Sequence, residues 1–274
     1  MSLPAAVHAQ HPGRPAHATV KGSLILKSAA ALVLDQSGQQ ILYAKNVDAV
    51  VPIASLTKLM TALVVLESGL PLEESIAISA EDVDDLKHTR SRLKVGTTLA
   101  RGDLLRLALM ASENRAAAAL ARAYPGGTPN FVAAMNHKAA ELGMRQTHYV
   151  DGTGLSSENV STAQDLARLA AVAYRQPLIR EHTTNSAHTV ALANGRQLHY
   201  LNSNRLVKNS DWHIGLSKTG YINEAGRCLI MQARIGAKPV IIVLLDSWGK
   251  LTRIGDANRI KKWIESNSSR QPAG

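Results

Sequence analysis

Several residue classes are scarce in this 274-residue sequence, and each shortage excludes a class of protein. With a single cysteine, Cys228, no disulfide can form within the chain. No apolar run reaches the roughly 18 residues that a membrane span needs, so at most a peripheral membrane contact is expected. Aromatic residues make up 4% of the chain, too few for the stacked platforms that bind single-stranded nucleic acids, so no nucleic-acid partner is predicted.

The ten histidines contain no H-E-x-x-H or comparable grouping, so neither a metal nor another cofactor is predicted. The charge is strongly basic, with 31 Lys and Arg against 21 Asp and Glu, a formal net charge of +10. This excess favours polyanionic surroundings such as an anionic cell-wall polymer or membrane surface, although simple solubility explains it equally well. The N-terminus shows no charged start followed by an apolar run and a cleavage site, so no signal peptide is visible.

The pattern predicts one domain between two disordered tails. Residues 1–25 and 267–274 are the predicted tails, and the first of them is rich in Ala, Pro and His. Strand-like runs at both ends of residues 26–266 bracket a helical middle. We therefore predict a sheet part at about 26–52 and 183–266, a helical part at about 53–182, and a cleft at their boundary.

The local patterns predict the individual elements. The strand-like runs, which include two hairpins, are 28–34, 39–44, 187–191, 197–201, 213–219, 228–235 and 240–245. The helical patterns begin near 79 and 103, resume after Asn114, and continue at 129–142, 162–174 and 256–264. The first hairpin and the last three strands together predict one antiparallel sheet covered by helices.

One apolar stretch, residues 53–66, carries a single charge, Lys58. A segment that is apolar on every side belongs in a core, and a buried ammonium costs several kcal/mol unless it is paired or deprotonated. Ser55 lies three residues earlier on the same helical face, which is the arrangement of a serine nucleophile with a lysine base. Alone, S-x-x-K is common by chance, and an ordinary helix is the simpler interpretation.

Two further short motifs have the same ambiguity. In Ser112-Glu113-Asn114, the serine and the asparagine can serve one site only if the helix breaks between them, so we predict a break there. A continuous polar helix surface is the alternative. In Lys218-Thr219-Gly220, the lysine offers a fixed positive charge, the threonine hydroxyl can bind a carboxylate, and the glycine lets a substrate lie along the strand edge.

The three motifs in this order are far more specific than any one of them. The set resembles that of the penicillin-binding proteins and serine β-lactamases. Longer stretches resemble the low-molecular-mass D-alanyl-D-alanine peptidases, and residues 255–260, Gly-Asp-Ala-Asn-Arg-Ile, resemble the D-alanyl-D-alanine endopeptidases of the penicillin-binding protein 7 type. The resemblance implies an α/β fold of the α+β type, β-lactamase/transpeptidase-like, with a five-stranded antiparallel sheet flanked by helices and an inserted all-helical subdomain.

The resemblance also implies a role for each motif residue. The implied catalytic residues are Ser55, Lys58 and Ser112, the substrate-binding residues are Asn114, Lys218, Thr219 and Gly220, and the oxyanion hole is formed by the backbone N–H groups of Ser55 and Tyr221. Free lysine has a pKa of about 10.4, so a lysine base near neutral pH must be shifted down by roughly 3 units. Burial, the nearby Lys218 and the positive end of the helix all act in that direction.

Several activities remain open within this group. A β-lactamase of class A needs an E-x-x-L-N stretch, and residues 181–185 differ from it at Thr184, so we expect slow release of penicillin. The chain ends soon after Ile264, without the C-terminal β-domain and anchor helix that carboxypeptidases of the group usually carry. This favours a periplasmic endopeptidase, its signal peptide already removed, that cuts D-alanyl cross-links in peptidoglycan and is inhibited covalently by β-lactams. A carboxypeptidase, a non-catalytic sensor of wall fragments or β-lactams, and a cytosolic amidase or esterase are the alternatives.

Overall fold

The computed structural model of the protein describes residues 24–37 and 40–268. Most of the two predicted tails, and residues 38 and 39 of the first predicted hairpin, lie outside these ranges. Within them the chain forms 11 strands and seven α-helices. The strands are β1 Ala30–Asp35, β2 Gln40–Lys45, β3 Val51–Pro52, β4 Ser75–Ala77, β5 Thr98–Ala100, β6 Val160–Ser161, β7 Ala187–Ala191, β8 Gln197–Leu201, β9 His213–Ile222, β10 Gly226–Ile235 and β11 Lys238–Ser247. The helices are α1 Lys58–Glu67, α2 Arg101–Met110, α3 Asn114–Arg122, α4 Gly127–Glu141, α5 Ala163–Ala173, α6 Pro177–Thr184 and α7 Thr252–Ser268.

The predicted five-stranded antiparallel sheet is present, in the order β2-β1-β11-β10-β9. Alternate residues of a strand point to opposite sides of the sheet. The inner strands are apolar at both sets of positions, so both faces of the sheet pack against a core. In β11, Ile241, Val243 and Leu245 pack into the larger core with α1 and α5. Their neighbours along the strand pack into a smaller core beneath α7. The sheet therefore lies between two layers of helices, as the resemblance implied.

Helix α1 lies at the centre of the larger core. Every residue from Lys58 to Val65 is buried, which confirms the prediction that this stretch, with its lysine, lies in the core. Helices α2, α3, α4 and α5 surround it. A surrounded helix keeps its position because no face can move without opening the core, so its first turn is a rigid support for a site.

Two predicted elements differ from the structure, and one helix was not predicted. Near Ser79 only a short 3-10 turn, Ala80–Asp82, forms, because Val83 is extended and ends it after a capping box. Helix α6 was not predicted; it begins at Pro177, a residue that is favourable in the first turn of a helix. The predicted second hairpin is present: strands β7 and β8 pair with each other in a separate two-stranded sheet. Helix α7 runs from Thr252 to Ser268, so the first residues of the predicted C-terminal tail are helical.

Among the described residues, none of the helices combines the length and the apolar character required to cross a bilayer.

Candidate active site

The nucleophile candidate Ser55 lies in a 3-10 turn, Ala54–Thr57, that leads directly into α1. Ala54 has a positive φ of 47°, which is strained for a residue with a Cβ. The turn is fixed by a hydrogen bond from Thr57 Oγ1 to the Ala54 carbonyl oxygen at 2.8 Å. Such strain persists only where the surroundings impose it, and here it presents a half-buried Ser55 at the start of the helix.

Lys58 is fully buried, and three oxygens surround its amine. Nζ lies 2.9 Å from Ser55 Oγ, 2.7 Å from Asn114 Oδ1 and 2.6 Å from the Thr153 carbonyl oxygen. The two carbonyl-type oxygens can only accept hydrogen bonds, so they take both N–H groups of a neutral amine. The remaining lone pair is then directed to the Ser55 hydroxyl, as a general base requires.

Burial lowers the pKa of Lys58 to about 7. The carboxylates of Asp151, Glu113 and Asp84 act in the opposite direction and limit the shift. At neutral pH a substantial fraction of the amine is therefore deprotonated and able to take a proton. This shift agrees with the requirement stated from the sequence, and its main cause is burial.

The Thr153 carbonyl oxygen was not predicted as part of the site. The Asp151 carboxylate positions it by accepting hydrogen bonds from the backbone N–H of Thr153 at 2.5 Å, of Gly154 at 2.6 Å and of Ser156 at 3.0 Å. An aspartate that binds the N–H groups following it folds the chain into a tight turn. The sequence Asp-Gly-Thr-Gly signalled this turn, but nothing in it showed that the turn faces Lys58.

The predicted break between α2 and α3 is confirmed. Ser112 has a φ of 61°, and Glu113 is extended and caps α3 by accepting the Arg115 N–H. Because of the break, Asn114 reaches Lys58 while Ser112 turns to the sheet, where Lys218 Nζ donates to its Oγ at 2.8 Å. The structure thus forms two hydrogen-bonded groups, Ser55 and Asn114 around Lys58 and Ser112 with Lys218, and the two lysines are close enough for their charges to interact.

Lys218 is 1% exposed and also donates to the Thr219 carbonyl oxygen at 2.9 Å. Burial, the charge of Lys58 and the charge of Arg253, in that order, lower the pKa of Lys218 well below its ordinary value. This disagrees with the expectation of a fixed positive charge, because two buried amines close together disfavour double protonation. Thr219 Oγ1 donates to Ser203 Oγ at 2.8 Å, a partner that the sequence did not indicate.

Strand β9 passes directly beside the nucleophile turn. A Cβ on Gly220 would lie 2.9 Å from the Ile53 carbonyl oxygen and 3.2 Å from the Ser55 nitrogen, so only glycine permits this approach. Arg253 of α7, missed in the sequence, donates to the Gly220 carbonyl oxygen at 2.8 Å and holds the strand in place. The next residue, Tyr221, has a half-exposed side chain, and the close approach brings this part of the β9 backbone next to Ser55.

A loop that the sequence did not single out lies next to Asn114. The Asp84 carboxylate accepts the backbone N–H groups of Leu86, Lys87 and Thr89, each at 2.9 Å. Thr89 Oγ1 accepts a hydrogen bond from Asn114 Nδ2 at 2.9 Å. One N–H and one lone pair of the Asn114 carboxamide therefore remain for a substrate amide.

Gly154 offers a test of the support behind Lys58. Its φ is 78°, and a Cβ there would lie 2.0 Å from the Ala54 carbonyl oxygen. Because backbone atoms cannot move aside, Gly154→Ala should lower the free energy of unfolding by about 3 kcal/mol and slow acylation of Ser55. Gly195→Ala is the matched control: φ is 80°, nothing lies within 4 Å, and the expected loss is about 1 kcal/mol. Urea unfolding followed by circular dichroism measures both, and equal losses would contradict the close approach.

In this site a buried lysine activates a serine, and a second serine–lysine pair lies opposite. Such an arrangement is typical of acyl-transfer enzymes that work through a covalent intermediate. The chain belongs to the peptidase S11 family, described as D-alanyl-D-alanine carboxypeptidase, which it matches over residues 17–249. It is therefore a serine-type D-alanyl-D-alanine peptidase.

Relatives and solved structures agree with this assignment. The chain is 50% identical to a D-alanyl-D-alanine endopeptidase of Pseudomonas aeruginosa, over 88% of this chain and 78% of that protein. It is 42% identical to a D-alanyl-D-alanine endopeptidase of Escherichia coli, over 92% of this chain and 82% of that protein. The crystal structure of the Streptomyces K15 DD-transpeptidase superposes with a TM-score of 0.80 at 28% identity, covering 87% of this chain and 97% of that one. The predicted fold is thereby confirmed.

Proposed function

We propose that this protein is a D,D-endopeptidase that hydrolyses D-alanyl cross-links in peptidoglycan through an acyl-enzyme on Ser55, and that β-lactams acylate the same serine. The observation that carries the proposal is the placement of Lys58. Its amine faces the Ser55 hydroxyl while two carbonyl oxygens take its other hydrogen bonds. Peptidoglycan as the substrate also suits the basic charge of the chain and implies a periplasmic location.

In the first step Lys58 takes the Ser55 hydroxyl proton as Oγ attacks the carbonyl carbon of a D-alanine residue. The carbonyl oxygen becomes an oxyanion, which the backbone N–H groups of Ser55 and Tyr221 stabilise. The C–N bond then breaks, and Ser112 gives its hydroxyl proton to the leaving amine. The proton that Lys58 took from Ser55 then passes to the Ser112 oxygen, so Ser112 is a hydroxyl and Lys58 a neutral amine again in the acyl-enzyme. In the second step water attacks the ester while Lys58 takes one of its protons; that proton passes to Ser55 Oγ as the C–O bond breaks, which releases the carboxyl product and restores Ser55.

The substrate-binding roles follow from the groups that remain available. Asn114 keeps an N–H and a lone pair for the substrate amide, and the absence of a side chain at Gly220 lets a peptide lie along β9. This strand is at the edge of the sheet, so it can pair with an extended peptide. Thr219 and Lys218 would face the carboxylate side of the substrate, where Ser203 orients the threonine hydroxyl.

Digestion of purified muropeptides separates endopeptidase from carboxypeptidase activity. We expect cross-linked dimers to become monomers, as the two relatives named endopeptidases suggest. The family description favours the alternative, in which pentapeptides lose their terminal D-alanine. Liquid chromatography with mass spectrometry distinguishes the products, with Ser55→Ala as the inactive control. Loss of D-alanine with intact dimers would contradict the endopeptidase, and acylation without turnover of either substrate would favour the sensor.

A further inference from the structure

A row of exposed cations lies on the loop that follows Thr89. In residues 90–94, Arg-Ser-Arg-Leu-Lys, the three cations are exposed, whereas Leu93 is buried and Ser91 is partly buried. Leu93 anchors the loop in the main core, so the alternating cations Arg90, Arg92 and Lys94 face outward. Among residues 24–37 and 40–268, no carboxylate lies within ion-pair distance of any of the three. Within these residues, no carboxylate neutralises their charge.

Two of these cations, Arg90 and Arg92, border an open groove of about 670 Å³. Its other wall is strand β8, from His199 to Leu201, and its end is formed by Ala111 and Glu113. Arg92 is fixed across the groove: its Nη1 donates to the His199 carbonyl oxygen at 2.5 Å, and its guanidinium lies 3.8 Å from the centre of the Tyr200 ring. A fixed guanidinium loses little freedom on binding, which favours affinity for an anion.

The groove continues beyond Arg92. A second depression of about 420 Å³ begins at this arginine and is bordered by Lys94 and Arg196. The one carboxylate among the residues that line the two depressions belongs to Glu113, which is buried and accepts the Arg115 N–H. Four cations thus face one buried carboxylate, and the groove as a whole attracts anions.

The groove adjoins the catalytic centre through residues that are its neighbours along the chain. Ala111 and Glu113 are the chain neighbours of Ser112, and Leu201 lies two residues before Ser203, the partner of Thr219. Arg90 follows Thr89, the partner of Asn114. Ser112 and Thr219 are the groups that face the leaving half of the substrate in the mechanism above, so the groove extends from the leaving-group side of the site.

We infer that this basic groove binds the leaving peptide strand of the cross-linked substrate through its free carboxylates, with Arg90 and Arg92 as the principal contacts. The inference rests on the proposed endopeptidase function. The carboxylate next to the scissile amide is assigned above to Thr219 and Lys218, so Arg90 and Arg92 would hold the carboxylates farther along the leaving strand. Arginine is the side chain best suited to hold a carboxylate, through two parallel hydrogen bonds.

The test measures binding and turnover separately. Binding of a cross-linked muropeptide dimer is measured by calorimetry on Ser55→Ala, and on the same variant with Arg90→Gln, with Arg92→Gln or with both. We expect about fivefold weaker binding for each single change and at least tenfold for the double change, since exposed charge-assisted contacts are individually modest. A dimer with amidated carboxylates should bind weakly to all of these proteins. Arg145→Gln, an exposed arginine outside the groove, is the matched control.

In the protein with Ser55 intact, the two arginine changes should raise KM for the dimer about as much as they weaken binding. The acylation rate with benzylpenicillin, which has no second peptide strand, should stay within twofold and shows that the catalytic centre is intact. Unchanged dimer binding in the double variant, or equal binding of the amidated dimer, would overturn the inference and leave the endopeptidase proposal standing. Failure of the dimer to be cut, with arginine-dependent binding preserved, would overturn the endopeptidase proposal alone.

Discussion

Ser55→Ala should abolish covalent labelling by a fluorescent penicillin and reduce hydrolysis of a cross-linked muropeptide by about 10⁴-fold or more, because no other group can form the acyl-enzyme. Labelling is read by gel fluorescence after denaturation, which removes non-covalent ligand. The fold should remain intact, since the hydroxyl is half-buried and its recorded hydrogen bond is to Lys58. The expected change in the free energy of unfolding is about 1 kcal/mol.

Ser68→Ala is the control for this substitution. Ser68 lies at the other end of α1, where its hydroxyl donates to the Val65 carbonyl oxygen and touches no part of the site. It should label like the unchanged protein. Persistent labelling of Ser55→Ala on a different residue, located by peptide mapping, would reject Ser55 as the nucleophile.

Lys58→Arg should slow acylation by benzylpenicillin by about 10²- to 10⁴-fold, the usual contribution of a general base. Arginine keeps the positive charge but cannot give up its proton near neutral pH. In the unchanged protein the pKa of Lys58 is about 7, and the deprotonated amine is the active form. The acylation rate should therefore rise about tenfold per pH unit below 7 and level off above it, as measured by stopped-flow between pH 5 and 9.

Lys138→Arg is the matched control for this change, since Lys138 lies on α4 and pairs with Glu67 and Glu141 away from the site. Its acylation rate and pH profile should match those of the unchanged protein. A Lys58→Arg variant that acylates normally, or a rate independent of pH between 5 and 8, would require another base, and Lys218 would be the first to examine.

The main architecture could be predicted because its helices and strands have local sequence patterns and because the site residues lie in three short motifs. The apolar stretch around Lys58 has no polar face, so its burial follows from composition alone. The break at Ser112 followed from geometry, because residues two apart on a helix cannot face one site. Strand β9 and its glycine were recognisable from the alternation and from the tripeptide at residues 218–220. Each of these predictions depends on a few neighbouring residues.

The parts of the site that were not predicted from the sequence depend on contacts between distant segments. Thr153 contributes a backbone oxygen, so its side chain carries no signal of the role. Arg253 reaches β9 from α7, and Ser203 reaches Thr219 from a loop between sheets, neither of which any local pattern could show. The pKa of Lys218 depends on the combined burial of two amines, which only the packed structure determines. Tertiary packing, and not propensity, sets these features.

The strand order has a consequence for how the protein is made. Strand β11, among the last elements to be synthesised, lies in the middle of the sheet, and Ala30 of β1 pairs with Leu245 of β11. During synthesis, the main sheet cannot form completely until this strand has been made, although the N-terminal hairpin and the helices around Lys58 are made earlier. Until then the side of the core that faces the sheet is exposed to solvent. The pKa of Lys58 should therefore keep its ordinary value, and its amine should be protonated. Competence for acylation should thus be gained only after translation is nearly complete.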